Sequence, residues 1–270
     1  MEYMHSKQDI LVIADDLGLD QAVNEGIFFA FRNGLIGGAS LMANGEAFDD
    51  VIRRLKDLPN ANIGIHLVLV DEKPLTQIKL PKNHKIFFIK YILGLINLKA
   101  IEMEMNAQID KCLAAGVKPT FINSHQHLHL LPGMMDIVIE LAKKYGIPLI
   151  RIINEPFHGQ GRSFRKIQSV FLKFLSFLAK RKIQKAGLEC NDFFVGFINA
   201  GNINIDDVKY AKNLSKKYPD KVIEFGCHPG YENEELRNKY KRWGNYNWEK
   251  ELNLLKDITF IGVVKTNKGC

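Results

Sequence analysis

The chain has 270 residues, of which 46% are hydrophobic and 25% charged, with a formal net charge of +7. That length buries one sizeable core, and roughly 250 residues is a common size for a closed α/β barrel. No Pro/Gly/Ser-rich linker, low-complexity tract or repeat of about 20–50 residues divides the chain, which argues against separate domains or a solenoid.

The N-terminal run MEYMHSKQDILVIADD lacks signal-peptide architecture, and no run of about 18 uncharged apolar residues marks a spanning helix. The expectation is a cytoplasmic protein. Cys112, Cys190, Cys227 and Cys270 show no C-x-x-C spacing and read as free thiols.

In chain order, β-branched and aliphatic runs predict strands over Ile10–Ala14, Ile36–Met42, Ile63–Leu69, Thr120–Asn123, Pro148–Ile152, Phe193–Ile198, Val222–Gly226 and Thr259–Val263. Helical periodicity falls between them, over Gln21–Arg32, Ala47–Leu58, Ile101–Ala115, Met134–Tyr145 and Asp206–Lys217. Strands alternating with helices predict a parallel sheet, and around eight of them favour a closed or nearly closed barrel over a doubly wound open sheet. Neither G-x-G-x-x-G nor G-x-x-x-x-G-K-[ST] follows a strand, so the nucleotide-binding fingerprints are absent.

Polar residues gather where these strands end. Asp15 and Asp16 close the first, His66 sits late in the third, His125 follows the fourth, Arg151 ends the fifth and His228 follows the seventh. In a parallel barrel those ends share one face, where active sites are built. Two adjacent carboxylates point apart along an extended chain but can reach one pocket where it bends, with Gly18 supplying the bend; one of them could instead cap the following helix. His125, His127 and His129 form H-x-H-x-H, which on an extended segment puts all three imidazoles on one face. Imidazole is a common ligand for zinc and related metals. His66 then completes a His/His/Asp set with an open position, the pattern of a catalytic metal site. At this level the choice between Asp15 and Asp16, and among His125, His127 and His129, stays open. His228 has the position of a general acid, and Cys227 beside it raises a thiol-nucleophile alternative.

Between Gly159 and Glu189 lie eight basic residues and no acidic one. Polar residues at 166, 169, 173, 176 and 180, spaced by three and four, predict an amphipathic helix with a wide apolar face that includes Phe171, Phe174, Leu175 and Phe177. That face either packs on the barrel or a second subunit, leaving the lysines to water, or serves as an apolar wall or a contact with an anionic membrane.

The segments IADDLGLD (13–20), FRNGLIGGASLMANGEAFDD (31–50), GIHLVL (64–69) with KPLT (73–76), KPTFINSHQHLHLLP (118–132) and EFGCHPGY (224–231) closely resemble the YdjC/ChbG-type carbohydrate deacetylases. These are polysaccharide-deacetylase-like proteins, and the group includes the HpnK-type proteins. The resemblance implies a distorted TIM-like (β/α) barrel, a single domain over 1–270 with insertions near 82–100 and 160–189, and hydrolysis of the N-acetyl amide of an amino sugar. It implies one divalent metal ion, Zn²⁺ by ligand type or Mg²⁺, held by Asp16, His66 and His125. Asp15 is then the general base toward the attacking water, His228 the general acid and Arg151 an orienting or charge partner. The two insertions depart from the family pattern: 82–100 is aliphatic and basic where sugar contacts are expected. The substrate is therefore an N-acetylated sugar or a glycolipid, with peripheral membrane contact through 160–189, a homo-oligomeric state and no nucleic-acid partner. A metal-dependent sugar-phosphate hydrolase or isomerase on the same barrel is the alternative, and a non-enzymatic lipid or nucleic-acid binder leaves the Asp/His set unexplained.

Overall fold

Strand residues such as Ala14, Ile65, Ile122 and Phe225 are buried along with their neighbours on either face, as a parallel sheet covered by helices requires. The computed structural model describes residues 10–157, 163–244 and 246–259. In chain order the elements are β1 (Ile10–Leu17), α1 (Gln21–Arg32), β2 (Gly38–Leu41), α2 (Phe48–Leu55), β3 (Ile63–Leu67), α3 (His84–Ile92), α4 (Leu98–Ala114), β4 (Phe121–Ser124), α5 (Met134–Tyr145), β5 (Leu149–Ile150), α6 (Ser163–Lys185), β6 (Phe193–Val195), α7 (Ile205–Lys217), β7 (Ile223–Cys227), α8 (Glu234–Lys239) and α9 (Trp248–Thr259). Short 3₁₀ turns occupy His125–Leu130 and Lys241–Trp243.

The seven strands of the described residues form one sheet in the order β5-β4-β3-β2-β1-β7-β6. Every pairing is parallel. The sheet curls into a half-barrel surrounded by helices, a single α/β domain of the distorted TIM-like kind that the sequence predicts. Between the edge strands β5 and β6, the chain leaving α6 patches the wall: Ile150 N–H donates to Glu189 O at 2.9 Å, and Phe194 N–H to Asn154 O at 3.1 Å. The expected eighth strand, Thr259–Val263, is not found in the described residues: Thr259 closes α9, and 260–263 lie outside them. The expected thiols Cys112, Cys190 and Cys227 are free, and Cys270 lies outside the described residues.

Helix starts follow their caps. The Asp20 side chain accepts from Ala22 N, Asn83 from Ile86 N and Asn97 from Ala100 N, while Asn204 and Asp207 form a reciprocal capping box on α7, each satisfying an otherwise unpaired first-turn donor. Glu104 of α4 accepts from Leu75 N, Thr76 N and the Thr76 hydroxyl and so pins the 73–76 loop to the barrel.

Helix α6 divides the apolar face read from its periodicity: Leu175 packs inward with Ala179 and Ile183, while its phenylalanines stay outside. Its barrel side carries Ser169, Leu175, Ser176, Ala179 and Ile183, all buried, while Phe164, Ile167, Phe171, Phe174 and Phe177 are exposed. The two serines are turned in because β5 stops after Ile150 and leaves backbone groups to satisfy. The Ser176 hydroxyl accepts from Ile153 N–H at 2.8 Å, and Ser169 Oγ donates to Glu155 O at 3.3 Å.

Close main-chain packing positions the end of β7. A Cβ on Gly26 of α1 would stand 2.4 Å from Gly230 Cα, two residues past His228. Main chain cannot rotate away, so Gly26→Ala is expected to cost about 1–3 kcal/mol, read as a lower urea midpoint at unchanged slope.

Candidate metal centre and its buried charge network

Parallel register brings the C-terminal strand ends together. Ala14 pairs with Cys227 on one side and Ala39 on the other, and His66 pairs with Asn123. The bend that serves both carboxylates is at Asp16 itself. Its φ is +64°, and the β1–β2 register shifts between Ala14 and Leu17. A left-handed conformation is costly for a residue with a Cβ and is typical of functional sites.

Asp15 and Asp16 are both buried, yet they turn to different partners. Asp16 Oδ1 lies 3.1 Å from His66 Nε2 and 3.1 Å from His125 Nδ1. Asp15 Oδ1 accepts from the Ser40 hydroxyl at 2.7 Å and from Asn123 Nδ2 at 3.0 Å, and its Oδ2 accepts from Arg151 Nη1. Arg151 Nε in turn donates to Glu224 Oε1 at 2.5 Å. Burial alone would raise the Asp15 pKa, but Arg151 and His66 hold its carboxyl well below the usual carboxylate range. Glu224 is the weaker acid of the pair: burial raises it to about 6 against the pull of Arg151.

Hydrogen bonding fixes the His66 tautomer. Asn123 Nδ2 donates to Asp15 and Ser40, so its Oδ1, 2.6 Å from His66 Nδ1, accepts the Nδ1 proton. Nε2 then turns a lone pair to Asp16 Oδ1, and two electron-pair donors that close require a shared cation. Donors on a divalent ion at roughly 2.0–2.1 Å sit about 3.0–3.4 Å apart, which matches both imidazole-to-carboxylate separations. Asp16, His66 and His125 form a buried group of metal-ligand type, with their ligand atoms within 4.8 Å of one another. Asp16 Oδ2 and His66 Nε2 also lack a hydrogen-bond partner among the described residues. The donor set therefore fits a divalent cation. Asp71 Oδ2 approaches His125 Nε2 at 3.4 Å, the orienting contact that ligating imidazoles commonly have. Burial would push His125 down, but Asp16 and Asp71 lift it to about 10: this corner holds positive charge tightly.

The three histidines of H-x-H-x-H do not share a face. The segment is a 3₁₀ turn in which Gln126 and His127 both have φ +55°, and this disperses the rings. His125 faces Asp16, whereas His127 packs against Phe197 with centroids 5.4 Å apart. His129 is a strut: its Nε2 donates to Arg151 O at 2.8 Å and its Nδ1 accepts from the Ser124 hydroxyl at 2.7 Å. Burial lowers His129 to about 4, in keeping with a neutral ring in that role.

His228 stands at the mouth. Glu251 of α9 accepts from its backbone N–H at 2.6 Å and places Oε2 3.6 Å from Nδ1. Burial would lower the His228 pKa, but Glu251 raises it overall. Cys227 points away, donating Sγ–H to Ile13 O, and burial pushes its thiol well above the ordinary range, which disfavours the thiol nucleophile. An aromatic wall joins the two ends of the site: Trp243 lies 5.1 Å from His125, Tyr246 5.2 Å from His228, and the two rings are 5.3 Å apart.

Sequence reasoning named Asp15, Asp16, His66, His125, Arg151 and His228, and the fold brings all six to one end of the barrel. It missed Ser40, Asp71, Asn123, Glu224 and Glu251. Glu224 left a signal, a lone carboxylate inside the apolar strand VIEFG; Glu251, on a distant helix, left none.

A curled parallel barrel with an Asp/His/His cluster at the C-terminal strand ends defines an α/β-barrel protein with a candidate metal centre. The YdjC-like protein family matches residues 9–265, and the chain belongs to that family. A carbohydrate deacetylase of Clostridium beijerinckii is 28% identical over 227 residues, covering 82% of this chain and 81% of the relative. A carbohydrate deacetylase of Geobacillus stearothermophilus is 37% identical over 141 residues, covering 52% of this chain and 58% of the relative. One of Brevibacillus brevis is 34% identical over 151 residues with the same coverage; the match thus spans little more than half the length of these last two. A crystal structure from Enterococcus faecalis V583, of a candidate cellobiose-phosphate cleavage protein, superposes with a TM-score of 0.71 at 19% identity over 97% of both chains, a likeness of fold.

Removing the guanidinium tests the charge network. Arg151→Met would leave Asp15 and Glu224 buried without their counter-charge, at an expected cost of about 3–5 kcal/mol. The stranded carboxyls would bind protons more tightly folded than unfolded, so the variant should lose stability as pH rises. Urea unfolding should therefore give a smaller deficit relative to wild type at pH 5 than at pH 8.

Proposed function

We propose that this chain is a cytoplasmic, metal-dependent hydrolase that removes the acetyl group from the amide nitrogen of an amino sugar, giving acetate and a free amine. The observation that carries the reading is the single Asp16 oxygen set 3.1 Å from two imidazole nitrogens, in a chain whose family relatives are named carbohydrate deacetylases. Asp16, His66 and His125 would hold the ion, Zn²⁺ by ligand type with Mg²⁺ also accommodated. When bound, a divalent ion supplies Lewis acidity toward the acetyl carbonyl and lowers the pKa of water.

The chain's own groups do the rest. Asp15 accepts the proton of the attacking water on its carboxylate, which Ser40, Asn123 and Arg151 keep ionised and aimed. His228 donates a proton to the departing amine nitrogen, with Glu251 holding the imidazole protonated and in place. Trp243 and Tyr246 offer flat apolar surface against which a sugar ring can rest. In this reading the chain works as one deacetylase domain with insertions near 82–100 and 160–189. No helix among the described residues is long and apolar enough to cross a membrane; the membrane contact proposed through 160–189 is a peripheral one. The protein acts as a homo-oligomer and without nucleic acid.

Metal content and acetate release test the assignment together. His66→Ala and His125→Ala should lose stoichiometric metal and turnover, whereas His127→Ala should retain metal. Asp15→Asn should keep the ion yet lose about 10²–10⁴-fold in rate, the usual contribution of general-base catalysis, while Asp16→Asn weakens metal binding. Release of phosphate rather than acetate from a sugar substrate would move the protein to the sugar-phosphate class.

The pH profile tests the acid. Because Glu251 raises His228, the protonated form persists to higher pH than in a free imidazole, and kcat/KM should fall as pH climbs through that raised pKa. Glu251→Gln removes the raising charge and should shift this basic limb to lower pH; an unmoved limb would assign the proton donor elsewhere.

A further inference from the structure

The face that α6 turns outward is its phenylalanine face: Ile167 is 68% exposed and Phe174 59%. Helix α3 does the same, with Ile89 58% and Ile92 64% exposed, and Phe87 as its buried residue. The two helices meet edge-on through Phe88 and Phe171, centroids 5.8 Å apart, so their apolar faces run into one another. Exposed surface of this kind marks an interaction site.

Charge selects the partner. Neither helix contains an acidic residue, while α3 carries Lys85 and Lys90, and α6 carries Lys173, Arg181 and Lys185 among others. A second copy docked through the same face would bring two basic surfaces together with no carboxylate on either helix to neutralise them, as a two-fold contact repeats each group on both sides. An anionic lipid surface neutralises the lysines and takes up the phenylalanines at once, as interfacial helices do.

The face also borders the mouth of the site. His84 opens α3 within electrostatic reach of Asp71, His125 and Arg165. Arg165, in the first turns of α6, stands 5.0 Å over the Phe197 ring that packs on His127. We propose that α3 and α6 together form a docking platform for an anionic lipid bilayer, and that the adjoining site takes the sugar headgroup of a membrane-borne glycolipid. The platform stands on the surface alone; the glycolipid clause rests on the deacetylase reading above.

Vesicle flotation of the full chain, with soluble-substrate turnover as control, tests both. The protein should float with phosphatidylcholine vesicles containing about 30% phosphatidylglycerol and not with phosphatidylcholine alone, and release as salt rises. Lys173→Glu and Arg181→Glu should each weaken partitioning at least about fivefold, and the double variant Ile167→Glu/Phe174→Ser should abolish it. All four side chains are exposed, so thermal unfolding and acetate release from a soluble N-acetylated saccharide should be unchanged, while release from a glycolipid in the same vesicles falls with binding. No flotation at low salt overturns the platform, as does a stable dimer that Phe174→Ser dissociates, which would give the face to a second copy. Flotation without acetate release from any substrate removes the deacetylase reading and the glycolipid clause while leaving the platform.

Discussion

Two consecutive carboxylates buried at the end of one strand repel each other, and the architecture of this end of the barrel follows from separating them. The left-handed turn at Asp16 sends its side chain to the two imidazoles, while Asp15 stays with Ser40, Asn123 and Arg151. Each carboxylate then recruits a positive partner of its own kind: a fixed guanidinium for one, an exchangeable cation for the other. Arg151 is always charged and serves as structure. The position between His66, His125 and Asp16 is built to take a proton or a metal ion. Backbone strain at one residue thereby sends the two carboxylates of a like-charged pair to different cationic partners.

Around that division the histidines take unequal roles. His125 faces the carboxylate, His129 braces the carbonyl of Arg151 and thus the guanidinium that holds Asp15, and His127 lies against phenylalanine. A regular strand could not distribute three alternate residues in this way, because its side chains repeat every second position on one face. The tight turn with two left-handed residues does so within six positions.

Helix α6 follows from the same economy of backbone partners. Because β5 is only two residues long, the chain beyond it needs side-chain hydrogen bonds, and the helix supplies them through serines on its inner side. Its bulky apolar residues are left facing outward beside those of α3. The surface that results is a consequence of how the barrel wall is completed, and it places a basic, apolar platform at the edge of the proposed catalytic mouth.

Strand and helix alternation was legible because burial on both faces writes continuous apolar runs into the sequence, and the barrel followed from their number and order. The ionisable residues Asp15, Asp16, His66, His125, Arg151 and His228 were legible for the same reason: each interrupts or ends such a run, where a charged or titratable group has no structural excuse. The family resemblance carried the choice of Asp16 over Asp15 and of His125 as ligand, which spacing alone left open; the turn that separates the three histidines and the partners Asn123, Glu224, Asp71 and Glu251 were decided by tertiary structure. These depend on a single φ angle, on inter-strand register and on contacts between residues up to 136 positions apart, as Arg151 and Asp15 are. Periodicity gave α6 an amphipathic pattern but not its buried side: Ser169 and Ser176 of the polar stripe turn in beside Leu175, because they answer the unpaired backbone of the neighbouring chain.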